Sequence, residues 1–192
     1  MSKLGNAKIL GGIGAILTLI GSFSAILAII GLIMLFIAVK YVAEEAKDES
    51  IFRNYLLYFI FSLVAIIAAI SIIFISIGWN IFNFTKIVQE MAEEAQHGAI
   101  EGIMKFFAGI IIALIVAWIL MILASIYIRK SYNKIAEYSK VDLFRTTGTL
   151  YFIGAITVII IVGLIIILIA KILEIVSFFS LPEEITKSEV VQ

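Results

Sequence analysis

Between Lys8 and Lys40 the chain carries no charge: Ile9 to Val39 is a run of 31 uncharged, mostly aliphatic residues. An α-helix rises about 1.5 Å per residue, so this run would reach roughly 46 Å, against about 30 Å for the hydrocarbon core of a bilayer. One straight helix is too long unless strongly tilted, and a hairpin of two shorter helices is the other solution. Gly21-Ser22-Phe23-Ser24 is the only turn-like cluster in the run. It predicts spans over residues 4–20 and 25–46. Lys3 and Lys8 ahead of the run, and Ser22-Phe23-Ser24-Ala25 within it, also match the outline of a cleavable signal peptide. The apolar run continues well past that cut, which favours a retained span.

Small residues recur in the run at four-residue intervals, Gly11 with Ala15 and Gly14 with Thr18 and Ser22. Such stripes let helix backbones approach closely, the main source of packing energy between helices in lipid. Gly11, Gly14, Thr18, Gly21 and Gly31, with Gly154 and Gly163 near the other end, are the expected helix-packing positions.

Composition narrows the class. The chain is 63% hydrophobic and 15% charged, with a mean hydropathy of +1.18. Soluble domains carry roughly 45–50% apolar and about 25% charged residues. The chain therefore reads as all-α, a polytopic helical membrane protein. Four apolar blocks cover residues 4–46, 54–78, 106–128 and 146–180 of a single helical domain, 1–182, followed by a polar tail, 183–192. Trp79, Phe82 and Phe84 close the second block as aromatics do at a lipid–water boundary. Formal net charge is zero, which supplies no basic field for nucleic acid. The absence of cysteine excludes disulfides and thiolate chemistry.

The last block, like the first, is too long for one upright span. Lys171 and Glu174 lie three apart near its end, a spacing that lets them face each other on one helix side. A Lys at mid-bilayer costs roughly 2.5–3.5 kcal/mol. Lys171 is thus expected at the interface, with the span ending near Ala170 and residues 172–179 lying along the surface before Pro182. Parts of the first block return here. Ile13-Gly14-Ala15-Ile16 matches Ile153-Gly154-Ala155-Ile156, and Ile30-Gly31-Leu32-Ile33 resembles Val162-Gly163-Leu164-Ile165. The glycines are 17 residues apart in the first copy and nine in the second, which lacks the Gly-Ser-Phe-Ser turn.

Charge distribution bears on the number of spans through the positive-inside rule. Splitting only the first block into a hairpin leaves ten basic residues on one side and four on the other; splitting the last as well gives twelve and two. Residues 160–164, however, make a poor turn to expose to water. Five spans are expected, with six as the alternative. The N-terminus and the bridges at 40–53 and 129–145 then face the cytoplasm from the cell membrane.

Chemistry is sparse. Glu94 and His97 have the Glu-x-x-His spacing of a carboxylate-bridged metal site, with Glu101 four residues beyond, but a di-metal bundle needs two such motifs pointing into a core. A solvated acidic helix accounts for them, and no cofactor is expected. No nucleophile elbow, triad partner or phosphate-cradling loop occurs, so the chain is not expected to be an enzyme. A structural, scaffold or accessory subunit is the expected role. A small transporter or channel with its path between helices or subunits is the alternative, lacking the ionisable residues within block interiors that such proteins use. Arg129, Lys130, Lys134, Lys140 and Arg145, interleaved with tyrosines, are expected to anchor a loop on lipid head groups. The expected partners are membrane lipid and other membrane helices, further copies of the chain included, and no nucleic acid.

Lys3-Leu4-Gly5-Asn6-Ala7-Lys8 running into Leu10-Gly11-Gly12-Ile13-Gly14 resembles the opening of a largely archaeal membrane-protein family, domain of unknown function 996. Residues 51–56 (Ile-Phe-Arg-Asn-Tyr-Leu), 143–148 (Leu-Phe-Arg-Thr-Thr-Gly) and 178–182 (Phe-Phe-Ser-Leu-Pro) are similar to its later motifs. The resemblance spans nearly the whole chain and implies a polytopic membrane protein with no established activity and no catalytic residues.

Overall fold

The computed structural model describes residues 2–77 and 99–183. The described chain forms α1 (Lys3–Ile20), α2 (Ala25–Ala46), α3 (Glu49–Ile77), α4 (Ala99–Ser139), α5 (Leu143–Thr157) and α6 (Val162–Phe179). Six helices among the described residues are long and apolar enough to cross a membrane, α5 counted with its short 3-10 extension to Ile160. The number is that of the six-span alternative and not the five expected.

The first apolar block divides where the sequence placed its turn. Gly21–Phe23 forms a 3-10 turn, Ser24 is extended, and α2 begins at Ala25. A Cβ on Gly21 would lie 2.6 Å from Ala28, so only glycine lets the chain fold back this tightly.

The last block divides too, against expectation. α5 ends at Thr157, Val158–Ile160 forms a 3-10 turn, and Ile161 takes φ 64°, a left-handed conformation that a β-branched residue rarely adopts. The objection to this turn was its apolar surface, with Ile159, Ile160 and Ile161 all more than 60% exposed. In hydrocarbon the constraint is different: a turn must satisfy its own backbone groups. Ile161 N–H donates to the Val158 carbonyl at 3.0 Å and Leu164 N–H to the Ile161 carbonyl at 2.9 Å. A turn closed in this way and clothed in isoleucine suits lipid better than water. α6 then runs unbroken from Val162 to Phe179, so residues 172–179 are its last two turns and not a separate surface segment.

The two hairpins share one contact. In the first, a Cβ on Gly31 would lie 2.6 Å from the Gly14 carbonyl oxygen. In the second, a Cβ on Gly163 would lie 2.3 Å from the carbonyl oxygen of Gly154. The sequence echo is thus a structural one, two glycine-on-glycine crossings starting from the same end of the chain's up-and-down path. The eight-residue difference in glycine spacing removes about one helical turn from each arm of the second hairpin. α1 also meets α6, with Gly11 against the Phe178 ring and Gly12 against Phe179.

The chain divides into two compact units, Phe61–Met121 and the remainder. Within Phe61–Met121, Ala65 and Ala113 are buried while Leu63, Ile66, Ile67, Ile111, Ile112 and Leu114 are exposed. The other unit holds a continuous core that includes Leu4, Val39, Val42, Tyr55, Ile128, Tyr132, Ile135, Phe144 and Phe178. Its helix ends are tied together at one side. Ser2 caps α1, accepting from Gly5 N–H at 3.0 Å, and its hydroxyl donates to the Glu183 carbonyl. Lys3 pairs with Glu44 at 2.9 Å, Lys134 with Asp48 at 2.6 Å, and the Tyr138 hydroxyl donates to the Glu45 carbonyl at 2.9 Å.

Candidate functional site, a buried carboxylate between tyrosines

α6 turns its small residues inward. Gly163, Ala170, Glu174, Ser177 and Phe178 are its buried positions, spaced as one helical stripe. A carboxylate at position 174 is therefore carried into the core by the same face that packs the glycine. α5 presents Thr147, Gly148, Tyr151, Gly154 and Ala155 inward. Gly148 lets α4 come close, since a Cβ there would lie 3.0 Å from the Arg129 Cα and 3.3 Å from the Tyr132 Cβ. This close approach brings tyrosines of two helices onto one glutamate.

Glu174 is 3% exposed, and each of its oxygens accepts from a different tyrosine. The Tyr151 hydroxyl donates to Oε2 at 2.7 Å, and the Tyr132 hydroxyl donates to Oε1. Tyr132 is fully buried and stacks on Tyr55 of α3 with ring centroids 6.3 Å apart. Its edge meets Phe144 at 5.5 Å and Phe178 at 6.4 Å. Beside it the Thr147 and Ser177 hydroxyls lie 3.2 Å apart, while each donates or returns to its own helix backbone. Among the described residues no basic side chain forms an ion pair with Glu174. A buried carboxylate that accepts from a phenol of each of two other helices ties α4, α5 and α6 together.

The charged bridges behave differently from one another. Asp48 opens α3, accepting from Ser50 N–H at 2.9 Å, and pairs with Lys134. The Lys134 ammonium and the Ser50 hydroxyl beside it hold the Asp48 carboxyl down at about 2. Of the expected head-group anchors, Lys134 is thus engaged within the protein. Arg129 is half-buried, its guanidinium 5.3 Å from the Phe152 ring and its Nε without a partner. Lys130 lies 5.2 Å from the Tyr127 ring. Lys140 ends α4 with φ 58°, and Arg145 pairs with Asp142 at 3.5 Å. Lys130, Lys140 and Arg145 are exposed.

The packing glycines Gly11, Gly14, Gly21, Gly31, Gly154 and Gly163 all lie where a Cβ would strike a neighbour, and Thr18 follows them with its hydroxyl bonded to the Ala15 carbonyl at 2.9 Å. Glu94 and His97 lie outside the described residues, as do Trp79, Phe82, Phe84 and the side chain of Glu101. Lys171 and Glu174 do not pair; Glu174 turns to the tyrosines. Sequence reasoning treated Glu174 as an interfacial charge. The signal that locates it was available: it lies four residues after Ala170 and eleven after Gly163, on the small-residue stripe.

A family model described as a protein of unknown function, DUF996, matches residues 27–172, most of the chain. The chain belongs to the DUF996 family. It is similar to an uncharacterized protein of Methanocaldococcus jannaschii, 36% identical over 188 residues that cover 97% of each chain. No solved structure matches it. The span matched by the DUF996 model runs from α2 to the middle of α6, so it contains Tyr55, Tyr132 and Tyr151 and ends two residues short of Glu174.

Proposed function

We propose that this DUF996 chain is a multi-pass protein of the cell membrane that serves as a structural, scaffold or accessory subunit and carries out no enzymatic chemistry. The supporting observation is an inverted distribution of bulk. Every one of the six helices exposes large aliphatic side chains, among them Ile9, Ile26, Leu63, Ile111, Ile153 and Ile165 at 40–71%, while glycine and alanine fill the contacts between helices. Water penalises that arrangement by about 25 cal/mol per Å² of exposed apolar surface, and lipid does not. Its partners are lipid and other membrane helices, further copies of the chain included, and not nucleic acid.

In this reading the N-terminus and the bridges 40–53 and 129–145 lie in the cytoplasm. Six helices in alternation assign twelve of the fourteen Lys and Arg residues to that side. Reporters fused to the N- and C-termini test both parts: cytoplasmic signals from the two ends are expected, and an external signal from either end overturns the orientation.

Glu174 favours a second reading, passage of a proton or small cation, because an ionisable group buried among helices is a common element of such paths. Flux through proteoliposomes that is abolished by Glu174→Gln would replace the scaffold reading with this one.

A further inference from the structure

We infer that the cavity where the start of α1, the end of α2 and the start of α3 converge is a binding site for the head group of an anionic phospholipid. The cavity measures about 680 Å³, and its wall carries Lys3, Lys40, Lys47 and Arg53 against Glu44 and Glu49. Lys3 and Glu44 neutralise each other at 2.9 Å. The other ion pairs among the described residues join Lys134 to Asp48 and Arg145 to Asp142, so none of them engages Lys40, Lys47 or Arg53. The wall thus sets four cations against two carboxylates, Glu44 and Glu49, across a concave surface. An anion with several acceptor oxygens answers that arrangement, and Arg53 supplies the planar donor fork that suits phosphate.

What distinguishes this cavity from a solvated basic rim is its apolar continuation. Phe52 and Leu56 complete its wall. Leu56 and Ile60, one turn apart on α3, are 37% and 43% exposed, and Ile37 and Ile33 lead away from Lys40 along α2 at 38% and 54%. Phe36 packs edge-on to Phe52 at 6.1 Å and to Phe59 at 5.0 Å, bridging the two helices beneath these residues. A head group in the cavity thus has exposed aliphatic side chains of α2 and α3 leading away from it. A soluble phosphate compound would leave that apolar surface uncovered, so the ligand is assigned as a lipid. The basic residues of 129–145, at the end of α4 and beyond it, do not line the cavity and take no part.

The inference rests on the membrane reading, and the two fail in different measurements. Full-length protein is purified in detergent and offered phosphatidylglycerol and phosphatidylcholine together, with retained lipid read by native mass spectrometry. Preferential retention of phosphatidylglycerol is expected. Lys40→Gln with Arg53→Gln removes two cations that form no ion pair among the described residues, and at about 1 kcal/mol each this weakens the preference roughly 30-fold. Lys171→Gln, a cation outside both the cavity and the 129–145 bridge, leaves it unchanged. Equal retention of the two lipids, full retention by the K40Q/R53Q variant, or inorganic phosphate binding as tightly as the lipid would each overturn the site. Failure of the membrane reading is separate: it would appear as release of the protein from phosphatidylcholine vesicles without detergent.

Discussion

Gly163 and Gly154 meet backbone to backbone, close enough that a Cβ on Gly163 would stand 2.3 Å from the Gly154 carbonyl oxygen and 2.2 Å from the Val158 nitrogen. Both obstacles are main-chain atoms, so no side-chain rotation relieves them. Gly163→Ala is expected to destabilise the protein by about 1–3 kcal/mol, the scale of overpacking in a rigid contact. Gly5→Ala is the contrast, because its Cβ would meet only the Ser2 hydroxyl oxygen at 3.1 Å. There the gain in helix propensity, about 1 kcal/mol, offsets a weakened cap. Thermal unfolding in detergent compares the two, and a G163A variant as stable as G5A refutes the close crossing.

The Glu174 cluster predicts a non-additive series. Tyr151→Phe removes a donor 2.7 Å from Oε2 and leaves a buried carboxylate oxygen unsatisfied, at a cost of about 1–3 kcal/mol. Glu174→Met alone strands two buried phenol hydroxyls and costs at least as much. Glu174→Met combined with Tyr132→Phe and Tyr151→Phe leaves nothing stranded and is expected to recover most of the loss, as apolar replacements of buried polar groups do. Additive losses across the series would show that these three side chains do not act together.

Acid should open the Asp48–Lys134 pair. The Asp48 carboxyl is held at about 2, below the ordinary aspartate value of about 4, so it stabilises the folded state fully above pH 4. That contribution is lost as pH falls from about 4 through about 2, because the unfolded chain takes up the proton first. Both side chains are 39% exposed, and solvent screening limits the effect to about 1 kcal/mol or less. Asp48→Asn is expected to unfold at lower temperature than the parent at pH 6 and to match it more closely at pH 2. A stability gap that stays constant with pH would contradict the pairing.

Ile161 carries a left-handed φ of 64° with its side chain 71% exposed, so its substitution loses little packing. Ile161→Gly is expected to raise stability by about 0.5–1 kcal/mol, the left-handed strain relieved less the added freedom of the unfolded chain. A rise in melting temperature in detergent supports the turn between α5 and α6. Destabilisation by more than about 1 kcal/mol would mean that residue 161 lies inside a continuous helix.

Features that depend on neighbouring residues along the chain were legible in advance. The length of the charge-free run at 9–39 forced a choice between tilt and a hairpin, and Gly21-Ser22-Phe23-Ser24 resolved it, since turn chemistry is local. Gly14 and Gly31 stand where a Cβ would strike the facing helix backbone, since backbones cannot meet around large side chains. The second hairpin was not legible in this way. Its turn at 158–161 contains no residue that favours turning, and the crossing of Gly154 with Gly163 accompanies it only in three dimensions.

By itself, the sequence determined an all-helical chain of membrane-spanning length and a first hairpin broken at Gly21. Tertiary structure alone decided that the last block folds back on itself, that Glu174 faces Tyr132 and Tyr151 and not Lys171, and that Lys134 is held by Asp48. The physical reason is range. Hydrophobic length and turn propensity act over a few residues, whereas a buried carboxylate finds its partners 42 and 23 residues away only after three helices have closed around it.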